Sequence, residues 1–153
     1  MEHLFDDILE KDEKIIKVIK PSKRRYWKLW LMPLVVPIFL PHFIIVMAAT
    51  LFFILPVIYA RGYKNLYYAY TNKRLIVRSG IIGVDYHSLE YKDISATSVN
   101  VDFLDKSRKG TTGTIYFKSP SSSITFHYVE NPYDLMREIK DYIASQNEEQ
   151  EKL

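Results

Sequence analysis

Hydrophobic and polar positions divide the chain into three textures. From Leu29 to Ala60, 32 consecutive residues include no Asp, Glu, Lys or Arg; a run of about 18 apolar residues already suggests a membrane span. Ahead of this block, Met1, Leu4, Phe5, Ile8 and Leu9 recur at helical spacing and predict a short amphipathic helix. Glu13 to Lys20 (EKIIKVIK) is rich in β-branched residues, stops at Pro21-Ser22 and predicts a strand. After Arg61, short apolar runs alternate with turn residues. They predict strands near 66–70, 74–79, 84–89, 94–101, 114–118 and 123–128. Thr71-Asn72-Lys73 supplies a tight turn, Ser79-Gly80 and Gly83 punctuate the next connection, and KSRKGTTG (106–113) reads as a polar loop. Asn131-Pro132 opens a helix, with Asn as cap, Pro at the first position and Asp134 in the first turn. Its Leu135, Met136, Ile139, Tyr142 and Ile143 make one apolar stripe. The boundaries that follow are 1–25 for the N-terminal helix and strand, 26–61 for the apolar block, 62–146 for the β-rich domain and 147–153 for a frayed tail.

As one helix the uncharged block would measure roughly 48 Å, against a hydrocarbon core of about 30 Å. Five basic residues precede it (Lys20, Lys23, Arg24, Arg25, Lys28) and five follow (Arg61, Lys64, Lys73, Arg74, Arg78), with no acid among either group. A single crossing would put one cluster outside, against the cytoplasmic preference of Lys and Arg. A helical hairpin keeps both inside. Pro33, Pro37 and Pro41 interrupt the first arm, and Pro41 suits the start of a second, so the turn is expected near residues 41–42. Tyr26, Trp27, Trp30, Tyr59 and Tyr63 are the expected membrane-interface anchors. A shallow re-entrant arm with one true span is the rival geometry; it too leaves both termini cytoplasmic. The expected location is the cell membrane, multi-pass.

Composition narrows the chemistry. The chain has no cysteine, which excludes disulfides, thiolate metal sites and cysteine nucleophiles. His3, His42, His87 and His127 lack the paired spacing of a zinc site, and no nucleophile elbow, phosphate loop or dinucleotide turn is present. Catalytic residues, metals and cofactors are therefore not expected. The net charge of +3 is small, and membrane topology accounts for where the basic residues cluster, so nucleic acid is not expected as a partner. Tyr63, Tyr67, Tyr68 and Tyr70 likewise read as an interfacial belt rather than a base-stacking platform. Lys73, Arg74 and Arg78, with Arg61 and Lys64, are the candidate contacts to anionic lipid head groups. Strand alternation puts Arg74 and Arg78 on one face, with Leu75 and Val77 turned to the core.

Four stretches carry a resemblance. Tyr70-Thr-Asn-Lys-Arg-Leu-Ile-Val-Arg-Ser-Gly80, Leu89-Glu-Tyr-Lys-Asp-Ile94, Gly113-Thr-Ile-Tyr-Phe117 and Asn131-Pro132 together resemble the bacterial pleckstrin-homology (PH) domains of small membrane proteins in which two hydrophobic segments precede the domain. Glu90 stands where that family often has Pro, and the segment before Gly113 is abbreviated. The resemblance implies a PH-like antiparallel β-barrel or sandwich with one C-terminal capping helix, and no enzymatic activity. The expectation is thus a non-catalytic integral membrane protein that presents a cytoplasmic PH-like domain for protein binding or assembly. Its partners would be the lipid bilayer and a second protein or copies of itself. Two other readings stay open: a sensor or binder of anionic phospholipid, and a non-catalytic subunit of a membrane enzyme or transporter.

Overall fold

The structure is a computed structural model that describes residues 4–23, 53, 54, 57–101, 106, 107 and 110–151. Tyr26, Trp27, Trp30, the prolines at 33, 37 and 41 and the expected hairpin turn lie outside the described residues. Among the described residues no helix is long and apolar enough to cross a membrane.

Among the described residues there are eight strands: β1 (Ile15–Ile19), β2 (Tyr67–Thr71), β3 (Arg74–Ser79), β4 (Asp85–Glu90), β5 (Ala96–Asn100), β6 (Lys106–Ser107), β7 (Gly110–Lys118) and β8 (Ser123–Glu130). A helix from Pro132 to Glu151 follows, and it continues past Glu148, where the sequence predicts fraying. Strands β1 to β4 form one antiparallel sheet in chain order. In the second sheet β7 pairs with both β5 and β8, and β6 folds onto its first residues. Residues 57–65 are helical and lead directly into β2.

Alternation explains the main core. Tyr68, Tyr70, Leu75, Val77 and Leu89 from the first sheet meet Ile115, Phe117, Ile124, Phe126 and Val129 from the second. Leu135 and Ile139 of the C-terminal helix complete the cluster. Tyr68 ties the sheets twice: its ring stacks on Phe126 at 4.6 Å between centroids, and its hydroxyl accepts from the His127 amide at 2.9 Å. The opposite face of the first sheet is also covered. Phe5, fully buried, packs with Ala69 and Ile76, supported by Leu4, Ile8 and Leu9.

Three expectations are corrected. The sheets do not close into a barrel among the described residues. After β4 the turn Tyr91–Asp93 carries the chain into the second sheet, and the two sheets meet through side chains rather than through a continuous ladder. In place of the expected N-terminal amphipathic helix, the described residues form a 3-10 turn at Asp6–Ile8, with Leu4 also in 3-10 conformation. Leu9 is already extended, and Asp12, at φ 66, reverses the chain into β1 while Phe5 stays inserted against the sheet. The polar loop at 106–113 is instead a hairpin of β6 with the start of β7. Gly113 explains why β7 reaches so far: a Cβ there would lie 2.7 Å from the Asn100 carbonyl oxygen and 2.8 Å from Pro132 Cγ. Only glycine lets β7 pass between the end of β5 and the start of the helix. The expected helix start is found: Asn131 precedes Pro132, and its carbonyl accepts from the Leu135 amide. Asn131 has φ 50, a left-handed conformation that Asn tolerates better than most residues. Its amide donates to the Thr111 carbonyl at 2.8 Å, so the helix start is pinned to β7.

The Glu13–Lys20 strand is found as β1, antiparallel to β2. The chain before the apolar block therefore belongs to the same sheet as the chain after it.

Candidate functional site

The cationic residues singled out from the sequence fall into two environments. Arg74, at the start of β3, is engaged by the N-terminal segment. Its Nε and Nη2 donate to the two Glu13 carboxylate oxygens at 3.0 and 2.8 Å, and Nη2 also donates to the Ile8 carbonyl at 2.9 Å. The Glu13 side chain is fully buried. Its carboxylate accepts further bonds from the Thr71 hydroxyl at 2.8 Å and the Glu10 amide at 2.9 Å. Burial alone would push the Glu13 carboxyl up. The hydrogen bonds from Arg74, the Glu10 amide and Thr71 outweigh it and hold the group below its ordinary value. Lys73 is also occupied, donating to Glu10 and to the Lys11 carbonyl, each at 3.2 Å. Arg78 donates to the Tyr86 hydroxyl at 3.3 Å and lies over the Tyr67 ring at 5.9 Å. Arg74 and Arg78 do share a face, as strand alternation predicts, and the N-terminal segment covers it.

Arg61 and Lys64 sit elsewhere, exposed on the helical stretch 57–65. The five cations are therefore not one cluster. The structure brings Lys73 and Arg74 together as part of a structural latch and leaves Arg61 and Lys64 at the opposite end of β3.

At that end the two shoulders of the uncharged block meet. The Tyr63 hydroxyl donates to the Pro21 carbonyl at 2.7 Å, and Lys20 Nζ donates to the Tyr67 hydroxyl at 2.9 Å. Lys20 also lies over the Tyr63 and Tyr67 rings. Ser22, one residue on, donates its amide to the Tyr128 carbonyl of β8 at 2.7 Å, and Pro21 is fully buried. Chain entry and exit are thus held within one hydrogen bond of each other. Of the expected interface anchors, Tyr63 is half-buried in this junction and Tyr59 is exposed.

Beside the junction lies an apolar rim that sequence reasoning missed. The β3–β4 turn exposes Ile81, Ile82 and Val84, and Ile82 is fully exposed (102%). Val57, Ile58 and Tyr59 of the helical stretch are exposed as well, as are Phe53 and Ile54. The turn and the helix border a shallow cleft of about 600 Å³ that includes Ile58, Tyr59, Gly62, Ile81 and Ile82. Asn65 Nδ2 donates to the Gly80 carbonyl at 3.0 Å, and a Cβ at Gly62 would be 3.6 Å from Ile81 Cγ1. The available signal was two β-branched apolar residues standing between two glycines, where a polar turn is usual.

The remaining polar contacts are structural. The Tyr70 hydroxyl donates to Glu138 at 2.6 Å, and Lys17 bridges the same carboxylate at 2.6 and 2.9 Å, tying β1 and β2 to the C-terminal helix. Lys17 and then Tyr70 hold the Glu138 carboxyl below its ordinary value. His87 and His127 are exposed on β4 and β8. Among the described residues no group of three or more His, Cys, Asp or Glu is placed to hold a metal ion.

Comparison with known proteins adds a family. A family model described as Bacterial PH domain matches residues 31–145, a span that starts inside the uncharged block. No curated protein matches the chain. Among solved structures the fold is similar to a DUF1696-family protein with a pleckstrin-homology domain from Shewanella loihica PV-4. That pair is 12% identical, with 92% of this chain and 91% of that chain covered and a TM-score of 0.49, which adds nothing to the family match.

Proposed function

The chain belongs to the bacterial PH domain family, and from that premise we propose that it is a non-catalytic membrane protein. In this reading its PH domain is carried on the cytoplasmic face by a two-arm hydrophobic hairpin and serves protein binding or assembly there. The observation that carries the reading is the hydrogen bond between Pro21 and Tyr63. Two points of chain held 2.7 Å apart in one folded domain stand on the same side of any membrane. The chain between them then crosses an even number of times. Residues 26–61 divide into two arms of about 18 residues, or roughly 27 Å each as helix, close to the hydrocarbon thickness of about 30 Å. Basic residues on both shoulders favour the cytoplasmic side.

An exposed strand edge supports the binding reading. Among the described residues β4 is an edge strand whose side chains are mostly exposed, so its outer backbone edge can accept an added strand from a partner or a second copy. The test is membrane fractionation of the full chain with alkaline carbonate washing, then cross-linking in mild detergent. Retention in the pellet and a defined cross-linked species are expected. Release by carbonate, or a monomer alone, contradicts the reading.

One observation favours a second reading, recognition of anionic head groups. Arg61 and Lys64 are exposed beside the junction, whereas Lys73 and Arg74 are engaged by Glu10 and Glu13. Any head-group contact would therefore fall to the first pair.

A further inference from the structure

We propose that the Ile81–Ile82 turn is a second membrane contact, seated in the apolar boundary of the bilayer beside the point where the uncharged block enters it. The inference rests on the proposed membrane anchoring and adds a surface to it.

The level of the turn is set by its neighbours. Arg61 is the first charge after 32 uncharged residues, so in an anchored chain it marks the head-group region. The turn lies alongside Ile58, Tyr59 and Gly62. Ile58 is three residues before Arg61, about 4.5 Å further into the bilayer along a helix. The turn therefore reaches the last turn of the uncharged block, the depth at which interfacial elements bury an apolar face.

It is also held there. Asn65 Nδ2 binds the Gly80 carbonyl at 3.0 Å, which fixes the turn to the helix. Gly80 has φ +135, and a Cβ on it would stand 2.3 Å from the Gly83 oxygen, so the turn is compact and admits no side chain at that position. A fixed turn that presents Ile81 at 50% exposure and Ile82 at 102% does not bury them within the domain. Lipid is the occupant because the patch is continuous with Ile58 and Tyr59 of the helix that ends the uncharged block, where Val57 is exposed as well. The exposed cations beside it, Arg61 and Lys64, suit anionic head groups. Two contacts, the hairpin and the turn, would fix the tilt of the domain on the membrane and so the direction in which β4 faces.

The chain has no cysteine, so single labels are unambiguous. Ile82→Cys, Ala48→Cys and Lys92→Cys variants of the full chain, each carrying a nitroxide, would be reconstituted in vesicles of neutral and anionic phospholipid. Collision with oxygen and with a water-soluble nickel chelate would then be compared. Lys92 is exposed beyond the far end of β4, about 20 Å of strand from the turn, and serves as the aqueous reference. The expected result is oxygen access with nickel exclusion at 82 and at 48, and nickel access at 92. A nickel-accessible label at 82 with a nickel-excluded one at 48 overturns the second contact and leaves the anchor standing. Nickel access at 48 overturns both. Shielding at 82 from both reagents means that a protein surface covers the turn, and this also overturns the proposal.

Discussion

The two ends of strand β3 treat their charged and apolar residues in opposite ways. At its start, Arg74 is turned inward onto a buried carboxylate, and Lys73 is paired with Glu10. At its finish, isoleucines face outward beside exposed cations. In the sequence both regions look like basic segments near an apolar block. The difference teaches that a run of cations does not by itself make a binding surface. One half serves to fasten the N-terminal segment over Ala69 and Ile76, and the other is exposed among the described residues.

The sharpest way to break the first half is Glu13→Gln. The Arg74 guanidinium, 17% exposed, then loses its nearest anion and keeps only Glu10 at 3.6 Å; removing one partner of a buried pair costs about 3 kcal/mol. Denaturant unfolding of the detergent-solubilised chain should show that loss at neutral pH. Acid should produce the same effect in the parent. Because Glu13 titrates below its ordinary value of 4.5, the stability it contributes is complete above that value and fades as pH falls through the lower folded value. The gap between parent and variant should therefore close on acidification; a gap that stays constant below pH ~4 would show that the carboxylate is not the source.

Gly113→Ala ranks next. The added Cβ meets the Asn100 carbonyl oxygen at 2.7 Å and Pro132 Cγ at 2.8 Å, and such overpacking costs about 2 kcal/mol. The loss should appear in the same unfolding experiment, with the join between the second sheet and the helix as its origin. At the other end of β3, Arg61→Ala and Lys64→Ala should each weaken binding to anionic vesicles by about 1 kcal/mol. Lys73→Ala, whose ammonium is already engaged, should weaken it less. Equal effects at 64 and 73 would erase the distinction between the two ends. The smallest change in stability belongs to Ile82→Ser. A fully exposed side chain leaves the unfolding midpoint within about 0.5 kcal/mol of the parent.

Much of the β-rich region was legible because its rules are local. Alternation located β2, β3, β4, β5 and β8 to within a residue or two. Asn131-Pro132 marked the helix start, and the β-branched run after Glu13 marked β1. What escaped was non-local. The Arg74–Glu13 pair spans 61 positions, and nothing in the spacing of either residue points to the other. The helical periodicity of Leu4, Phe5 and Ile8 was real as a pattern of apolar residues. A sheet face over Ala69 and Ile76 uses those residues from a single 3-10 turn instead. The extension of β7 through KSRKGTTG was hidden because Gly113 reads as a loop residue, when its role is close approach. The Ile81–Ile82 turn was read only for its glycines.

The central proposal is that the uncharged block leaves and returns on one side of a membrane; it rests on the Pro21–Tyr63 bond, which holds the two ends of the block together. Its most direct test places single cysteines at Lys20 and Lys64 and labels each from one face of sealed, oriented vesicles with an impermeant maleimide. The account predicts that both sites react from the cytoplasmic face and neither from the other. Labelling of the two sites from opposite faces would contradict it.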